Sequence, residues 1–388
     1  MPRLLAVASR CGVAIAVAGS EPVEEISRSL RDSLKRDEFP RHYFFRHLDS
    51  YMAGQNVKRI AFTRSARKKP WPLATLEAEN MSKTKTAGNS TIFYATHQIS
   101  KKFLLDEDRN VVKEPGGQIY DAPCSVIHLA GANMLANNLN MMDPRRCMSW
   151  GILANGRASA NIAPKDRLKK GEISRTRDNF EYPSGLAILM IDVDEPVPFN
   201  ELFDSLTRVV PELPTAPYVL SHSASTFIYN GEDGACIKGE GGKRVYIIVA
   251  EGTDIPRAAG VLGARLKRNG YLSYKISKSG QLLERTLIDE SVYQPERLDF
   301  CGGAECKKPL VQRRPKAEAF NDGAAPLDTR RALPDLTSEE IARLDQLRME
   351  KRAAAQGEAA EVRDKFANDR AAEIVRHMGK KGVVKDQE

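Results

Sequence analysis

The chain is short of the residues that most readily declare a chemistry. It holds 6 cysteines, 6 histidines and 2 tryptophans in 388 residues, and aromatic residues make up only 7%. Six cysteines (Cys11, Cys124, Cys147, Cys236, Cys301, Cys306) spread over this length are too sparse for the disulfide framework of a small secreted domain, so a reduced, cytoplasmic setting is expected. No run approaches the roughly 20 apolar residues that a membrane span needs, so no membrane partner is expected. Cys11–Gly19, following Arg3 and Arg10, has a trace of signal-peptide character, but the charged remainder does not suit secretion. No His-x-His cluster is present, which disfavours nickases built on paired metal-binding histidines. Gly239-Glu-Gly-Gly-Lys243 lacks the GxxxxGK[ST] spacing of a P-loop, so no ATPase motor is encoded. Cys301 and Cys306 give C-x4-C across Gly302-Gly303, half a zinc site with no second pair nearby.

What the chain has in quantity is length and positive charge. Its 388 residues suffice for two domains and a tail. Lys and Arg total 59 against 51 acids, a net charge of +8, which permits a polyanionic partner. The excess is concentrated. Val57–Lys69 carries Lys58, Arg59, Arg64, Arg67, Lys68 and Lys69 with no acid, followed by Trp71. That run is either a solvated loop or a nucleic-acid contact.

The expected organisation is an N-terminal α/β extension over residues 1–85, a catalytic region over 86–310 and a linker with a charged helical tail over 311–388. The extension includes a helical piece near Glu24–Leu34 and an aromatic patch at His42–Phe45. Thr91–Ala95 predicts a strand, and Asp143–Tyr182 a long polar loop with short elements. In the tail, Thr337-Ser-Glu-Glu340 predicts a capping box, with Ile341, Leu344 and Leu347 at helical spacing behind it.

The best-patterned part spans Gly185–Gly303. An apolar strand ends at Asp194. A helix follows over Asn200–Val210, with Leu202, Phe203, Leu206, Val209 and Val210 on one face. Pro217–Ser221 is a second strand, Thr226–Ile237 a hairpin turning at Asn230-Gly231, and Val245–Val249 a third strand. Asp254 would cap the next helix, with Pro256 in its first turn and Gly270 past its end. Leu282–Ile288 is a fourth strand. This order, β-α-β-β-α-β, is that of a ferredoxin-like or RNA-recognition-type α+β core. Such a sheet would place the first strand between the third and fourth.

The first strand, Leu186–Asp194, carries the chemistry. Strand side chains alternate, so Asp192 and Asp194 leave its end on one face. Two carboxylates so placed repel and desolvate each other unless a cation stands between them. Downstream come Ser221-His222-Ser223, Gly241-Gly-Lys-Arg-Val-Tyr246, Ser277-Lys-Ser-Gly280, Leu287-Ile-Asp289, Val292-Tyr293 and Pro295-Glu-Arg297. Together they resemble the archaeo-eukaryotic primase superfamily, in particular the primase-polymerases of plasmids, phages and integrative elements. The resemblance covers residues 90–310 and rests on three motifs in order: Ile191-Asp-Val-Asp194, Gly242-Lys243-Arg244, and Ile288-Asp289 followed by Val292-Tyr293 and Arg297.

It implies a DNA primase, a nucleotidyltransferase that extends a primer on single-stranded DNA from nucleoside triphosphates. Asp192, Asp194 and Asp289 would be the catalytic, metal-binding carboxylates, holding a pair of Mg²⁺ or Mn²⁺ ions for two-metal phosphoryl transfer, ions that favour oxygen ligands. Arg244, Lys243, Ser221, Ser223, Lys278 and Arg297 would bind the nucleotide. Lys278 has a competing reading as an exposed turn lysine, and Arg297 as the partner of Asp299 or Glu296. With no motor in the chain, the replicative helicase would be a separate protein.

The sequence departs from the family where it has Arg244 in place of histidine. An arginine keeps a permanent charge and a forked donor set but gives up no proton near neutral pH. His222, on the preceding strand, has a structural reading and a substituting one. The departure makes a catalytically weak replication-initiation DNA-binding protein the alternative. A glycosyltransferase with a DxD motif would leave Ile288-Asp289 and Arg297 unexplained.

Overall fold

The computed structural model describes residues 89–116, 119 and 121–382, with the backbone of three short strands nearer the N-terminus. The chain divides into two compact units, Met1–Asn80 and Met81–Glu388. In the first, β1 (Leu5–Ala8), β2 (Val13–Val17) and β3 (Ile60–Arg64) form an antiparallel sheet in the order β1-β2-β3. The expected helix at Glu24–Leu34, the patch at His42–Phe45 and the basic run, except for Ile60–Arg64, lie outside the described residues.

The second unit is α+β, built of several small sheets and helices. β4 (Ser90–Tyr94), where a strand is expected, pairs with β7 (Ala122–Ile127) and β8 (Arg146–Ser149), and β10 (Ser159–Ile162) completes the order β10-β7-β4-β8. β5 (Lys102–Leu105) and β6 (Val111–Glu114) form a hairpin beside this sheet's sequence. A short helix, α1 (Ala132–Asn140), follows β7. The polar stretch expected as a loop holds β8 and β10 and a two-stranded pair, β9 (Ile152–Leu153) with β11 (Phe180–Glu181).

The main sheet starts with β12 (Ala187–Val193). α2 (Phe199–Val209), β13 (Tyr218–His222), the hairpin β14 (Ile228–Asn230) with β15 (Cys236–Lys238), β16 (Lys243–Val249) and α3 (Ile255–Leu266) follow as the hydrophobic periodicity predicts. Its order is β12-β16-β13-β21, antiparallel throughout, where β21 is Glu318–Phe320. The two sheet faces bury different partners. Leu189, Ile191, Val193, Val245 and Ile247 face α2 and α3, meeting Leu202, Leu206, Ala258 and Leu262. Ile188, Met190, Val219, Tyr246 and Ile248 face the other way, onto α1 and the β4 sheet through Leu135, Leu139, Met148 and Trp150. Burial on both faces explains why β12 is an unbroken apolar run and not an alternating one.

Three expectations are corrected. Leu282–Ile288 is not a fourth strand of the main sheet. β18 (Leu282–Arg285) folds back on β17 (Ser273–Ile276) as a separate hairpin. Leu287 and Ile288 are buried in the helix-side core, and the Asp289 N–H gives a single 2.8 Å bond to the Asp192 carbonyl. β12 therefore pairs with β16 alone among the named strands, and the fourth strand, β21, sits at the opposite edge. Nor does the core end at 310. β19 (Glu305–Cys306) pairs with β5, β20 (Leu310–Gln312) with β14, and the chain up to Leu333 is anchored by buried Leu310, Ala317, Leu327 and Leu333. Three-residue strands paired across long sequence distances leave no periodicity to detect. Finally, Asp254 makes no capping hydrogen bond to α3. Its carboxylate, 2% exposed, accepts from Arg257 Nε and Nη2 at 2.7 Å and from Thr329 Oγ1 at 2.6 Å. It thereby ties α3 to α4 (Thr329–Ala332).

The capping box at Thr337–Glu340 forms as predicted: the Thr337 N–H donates to Glu340 Oε2 and the Glu340 N–H to Thr337 Oγ1. It opens α5 (Ser338–Gly382), a mostly exposed helix of 45 residues that touches the β17–β18 hairpin through the Arg348–Glu284 ion pair. Among the described residues no helix is long and apolar enough to cross a membrane.

Hydrogen bonds from Arg257 hold the Asp254 carboxyl below its ordinary value of 3.8. Its contribution to stability is complete above that value and is lost as the pH falls through the lowered one. Asp254→Ala is expected to cost about 2–4 kcal/mol by stranding Arg257 and Thr329, measured by urea denaturation at neutral pH. The loss against wild type should shrink on acidification.

Candidate functional site

Register fixes the site. Across the main sheet Asp192 stands directly opposite Arg244, and Arg244 opposite Ser221. Directly opposed residues share a face, so the row Asp192–Arg244–Ser221 continues the buried row Met190–Tyr246–Val219 toward the rim. Inside, Trp150 donates from Nε1 to Met190 Sδ and packs its ring 5.0 Å from that of Tyr246. At the rim the apolar cover stops. Asp192 is 17% exposed there and Arg244 13%.

Arg244 stands between two acids. Its Nη1 lies 2.7 Å from Asp299 Oδ1, and its Nε lies 3.4 Å from Asp192 Oδ1. Asp299 is 1% exposed and accepts a 2.8 Å hydrogen bond from the Tyr246 hydroxyl at Oδ2. An antiparallel bridge between Met148 and Asp299 fixes its backbone. Burial opposes the Arg244 charge, but Asp299 and then Asp192 more than offset that and hold the guanidinium protonated. Asp192 is in the opposite condition. Burial raises its carboxyl above the ordinary value, Arg244 opposes the rise, and the charges of Asp299, Asp194 and Asp289 add to it.

The remaining predicted residues distribute unevenly. Asp194 is exposed just past β12, where close packing by Gly242 shapes the strand end: a Cβ on Gly242 would run into the Val193 carbonyl and stand 3.1 Å from Asp194 Cα. Asp289 is held to β12 by its backbone bond to Asp192, but its carboxylate accepts from the Ser291 N–H and caps the short turn Glu290–Val292. Ser221 is buried in the Arg244 row, and the Ser223 N–H bonds the Gly242 carbonyl. Lys243 faces away. It is fully buried, with Nζ 2.6 Å from the Val197 carbonyl and 2.8 Å from Glu240 Oε1. Consecutive strand residues point to opposite faces, so Lys243 cannot share a ligand with Arg244 on the sheet. His222 shares the Lys243 row, and its ring packs edge-on against Phe227 at 4.8 Å. Lys278 is exposed at the tip of the β17–β18 hairpin, whose Gly280 carbonyl accepts from Arg363 of α5. Arg297 is exposed beside Arg175. The acids once considered for it are engaged elsewhere, Asp299 with Arg244 and Glu296 with Arg177.

Sequence reasoning missed Asp299 and Tyr246, which set the geometry of Arg244. The signal was available in an acid enclosed by Leu298 and Phe300, since a lone carboxylate in apolar surroundings requires a partner.

No family model, curated protein or solved structure matches this chain. The site therefore has to be read from its own chemistry. Among the described residues no three His, Cys, Asp or Glu side chains form a metal-holding group, so the expected cage of Asp192, Asp194 and Asp289 is not assembled. Cys301 and Cys306 are free thiols. The donor set suits a cation held by fewer protein ligands. Mg²⁺ commonly takes one or two protein carboxylates and completes its shell with water and substrate phosphates. Asp192 near the end of β12 and Asp194 just past it offer two carboxylates. Three further polar atoms in this group, Arg244 Nε, Asp299 Oδ1 and the hydroxyl of Tyr293, have no hydrogen-bond partner among the described residues. Tyr293 lies within the influence of Asp192 and Asp289.

Because burial raises Asp192, its ionised form costs stability at any pH above the raised value, and the cost fades as the pH falls toward 3.8. Asp192→Asn should therefore leave the melting temperature unchanged or higher. Asp299→Asn should lower stability by about 2–4 kcal/mol, since it weakens the short contact of a buried arginine. Thermal unfolding of the two variants at neutral pH measures the contrast.

Proposed function

We propose that the chain is a primase-polymerase-like nucleotidyltransferase of a mobile genetic element, acting in the cytoplasm on single-stranded DNA with nucleoside triphosphates and Mg²⁺ or Mn²⁺. The observation that carries this reading is the row Asp192–Arg244–Ser221, with Asp194 beyond it. An acid pair and a fixed guanidinium sit side by side at a strand end, where a nucleotide's phosphates and its cation have complementary needs. The element order β12-α2-β13-β16-α3 and the strand placement β12-β16-β13 support a ferredoxin-like core. Residues 287–289 run beside β12 where that fold has its fourth strand.

In nucleotidyl transfer the primer 3′-hydroxyl attacks the α-phosphate and pyrophosphate leaves. Divalent cations bound here would lower the attacking hydroxyl's pKa and offset charge on the phosphates. Asp192 and Asp194 are the residues that would hold them. Arg244 binds phosphate oxygens as a permanent charge, held beside Asp299, which Tyr246 orients in turn, and by its bond to the Phe300 carbonyl. Asp289 acts through the chain: its side chain shapes the Glu290–Val292 turn and its N–H holds the Asp192 carbonyl, so it is a positioning residue. No group of the Arg244 type supplies a proton, so Arg244 would offset the charge of the departing pyrophosphate, and the attacking hydroxyl's proton would pass to solvent.

A second reading has a specific observation in its favour. Arg244 already neutralises Asp192 in part, as expected for a replication-initiation DNA-binding protein that keeps the fold with weak catalysis. Primer synthesis on a single-stranded template, with ribo- or deoxynucleotides and Mg²⁺ or Mn²⁺, separates the two. Wild type is expected to make dinucleotides and longer products, and Asp192→Asn to lose at least about 100-fold in rate with template binding intact. DNA binding without synthesis under every combination would leave the second reading standing.

A further inference from the structure

Most buried or half-buried lysines in this fold have an acid at hand. Lys102 pairs with Glu114 at 2.7 Å, Lys243 with Glu240, and Lys267 with Glu284 and Glu290. Lys101 and Lys113, which are exposed, and Lys238, which is half-buried, differ. Among the described residues none of the three forms an ion pair; Lys101 and Lys113 belong to the β5–β6 hairpin and the residue leading into it, Lys238 to β15, and Asp194 acts on both Lys101 and Lys238.

Their placement follows from register and packing. Lys113 on β6 is paired with Phe103 on β5. Lys101 lies two residues before Phe103, so Lys101 and Lys113 are diagonal neighbours on one face of the hairpin. Lys238 ends β15, and its Nζ donates to Ser225 Oγ at 3.2 Å. Its Cε would lie 3.8 Å from a Cβ on Gly241, and the adjacent Gly242 packs on Asp194. The two glycines thus let Lys238 and Asp194 approach over bare backbone. The electrostatics agree. Burial lowers Lys101 from its ordinary value, and Lys113, Arg244 and Lys238 lower it further, with Asp194 acting in the other direction. Lys238 is lowered by burial and then by Lys113, again with Asp194 opposing.

Cations held close without their own acids destabilise one another, and an anion spanning them relieves the repulsion. We propose that Lys101, Lys113 and Lys238 form a polyphosphate-binding site beside Asp194, taking either the triphosphate tail of a nucleotide or consecutive phosphates of a nucleic-acid backbone. Lysines suit this task as mobile point charges that need no bidentate geometry. Two of them come from one hairpin and the third from β15, which spreads the positive charge over more than one phosphate. The site itself stands on these three residues. Only the identity of the nucleotide as its natural source rests on the function proposed above.

Binding decides the matter without catalysis. Tripolyphosphate and a nucleoside triphosphate are titrated calorimetrically into the full chain, and a fluorescent oligo(dT) is titrated by anisotropy over a range of salt. The full chain carries Asp192→Asn in a parallel series, so that a failure of nucleotidyl transfer does not enter the result. The Lys113→Ala variant and the Lys101→Ala/Lys238→Ala double variant are compared with Lys165→Ala/Lys169→Ala, which removes the same charge from an exposed turn. The double variant should weaken tripolyphosphate roughly tenfold or more, with circular dichroism unchanged and the control pair near wild type. A parallel loss for the nucleotide alone assigns the triphosphate. A loss for oligo(dT), with the salt slope reduced by about 1.4 for two contacts, assigns the backbone. Equal affinity of double variant and control for all three probes overturns the site.

Discussion

The placement of Arg244 governs what this site can be. A guanidinium at the rim of a sheet buried on both faces must find acids, and it finds two: one deep and short, Asp299, and one shallow and long, Asp192. The deep pair holds the arginine's charge in place, because Tyr246 and the bridge to Met148 hold Asp299 and the Phe300 carbonyl accepts from Arg244 Nη1. The shallow pair leaves Asp192 only partly compensated. Removing the first contact would release the arginine; removing the second would leave it in place. The site is therefore an arginine mounted on Asp299 and presented to Asp192, not a symmetric triad.

That asymmetry explains how the two faces of one sheet came to divide their labour. Lys243 and Arg244 are consecutive and both cationic, yet the first is structural and the second stands at the rim. Lys243 points to the helix side, where the Val197 carbonyl and Glu240 satisfy it, locking the turn after β12 to the start of β16. Arg244 points to the other side with Asp192. Because Gly242 precedes them with no side chain, this strand can press against Val193 and Asp194 closely enough to hold both rows in register.

Much of this was legible in the sequence where the signal is local. The run Ala187–Val193, the apolar face of α2 and the reciprocal cap at Thr337–Glu340 each rest on residues within a few positions of one another, and each is found where the pattern puts it. Strand alternation would also have separated Lys243 from Arg244. What lay hidden is nonlocal. β21 joins the main sheet about 100 residues after its neighbour β13 by three residues with no periodicity. Asp299 meets Arg244 from 55 positions away. The Asp289 N–H meets the edge of β12, but whether its carboxylate faces a ligand or caps its own turn depends on the local backbone of residues 289–292, which composition does not encode.

Asp192 and Asp254 show how one residue type serves opposite purposes. Both are acids in restricted surroundings, and both have an arginine partner. Asp254 receives two 2.7 Å hydrogen bonds from Arg257 and one of 2.6 Å from Thr329, and these outweigh its desolvation. Asp192 receives a 3.4 Å approach from an arginine whose short contact belongs to another acid, and desolvation prevails. A fold optimised for stability alone would move Arg244 closer or replace Asp192 with an apolar residue, since uncompensated buried charge is among the costliest features a core can carry. Its retention at a rim, beside a second acid and three lysines without acids of their own, is intelligible if the compensation arrives from outside the chain, as phosphate for the cations and a divalent ion for the carboxylates.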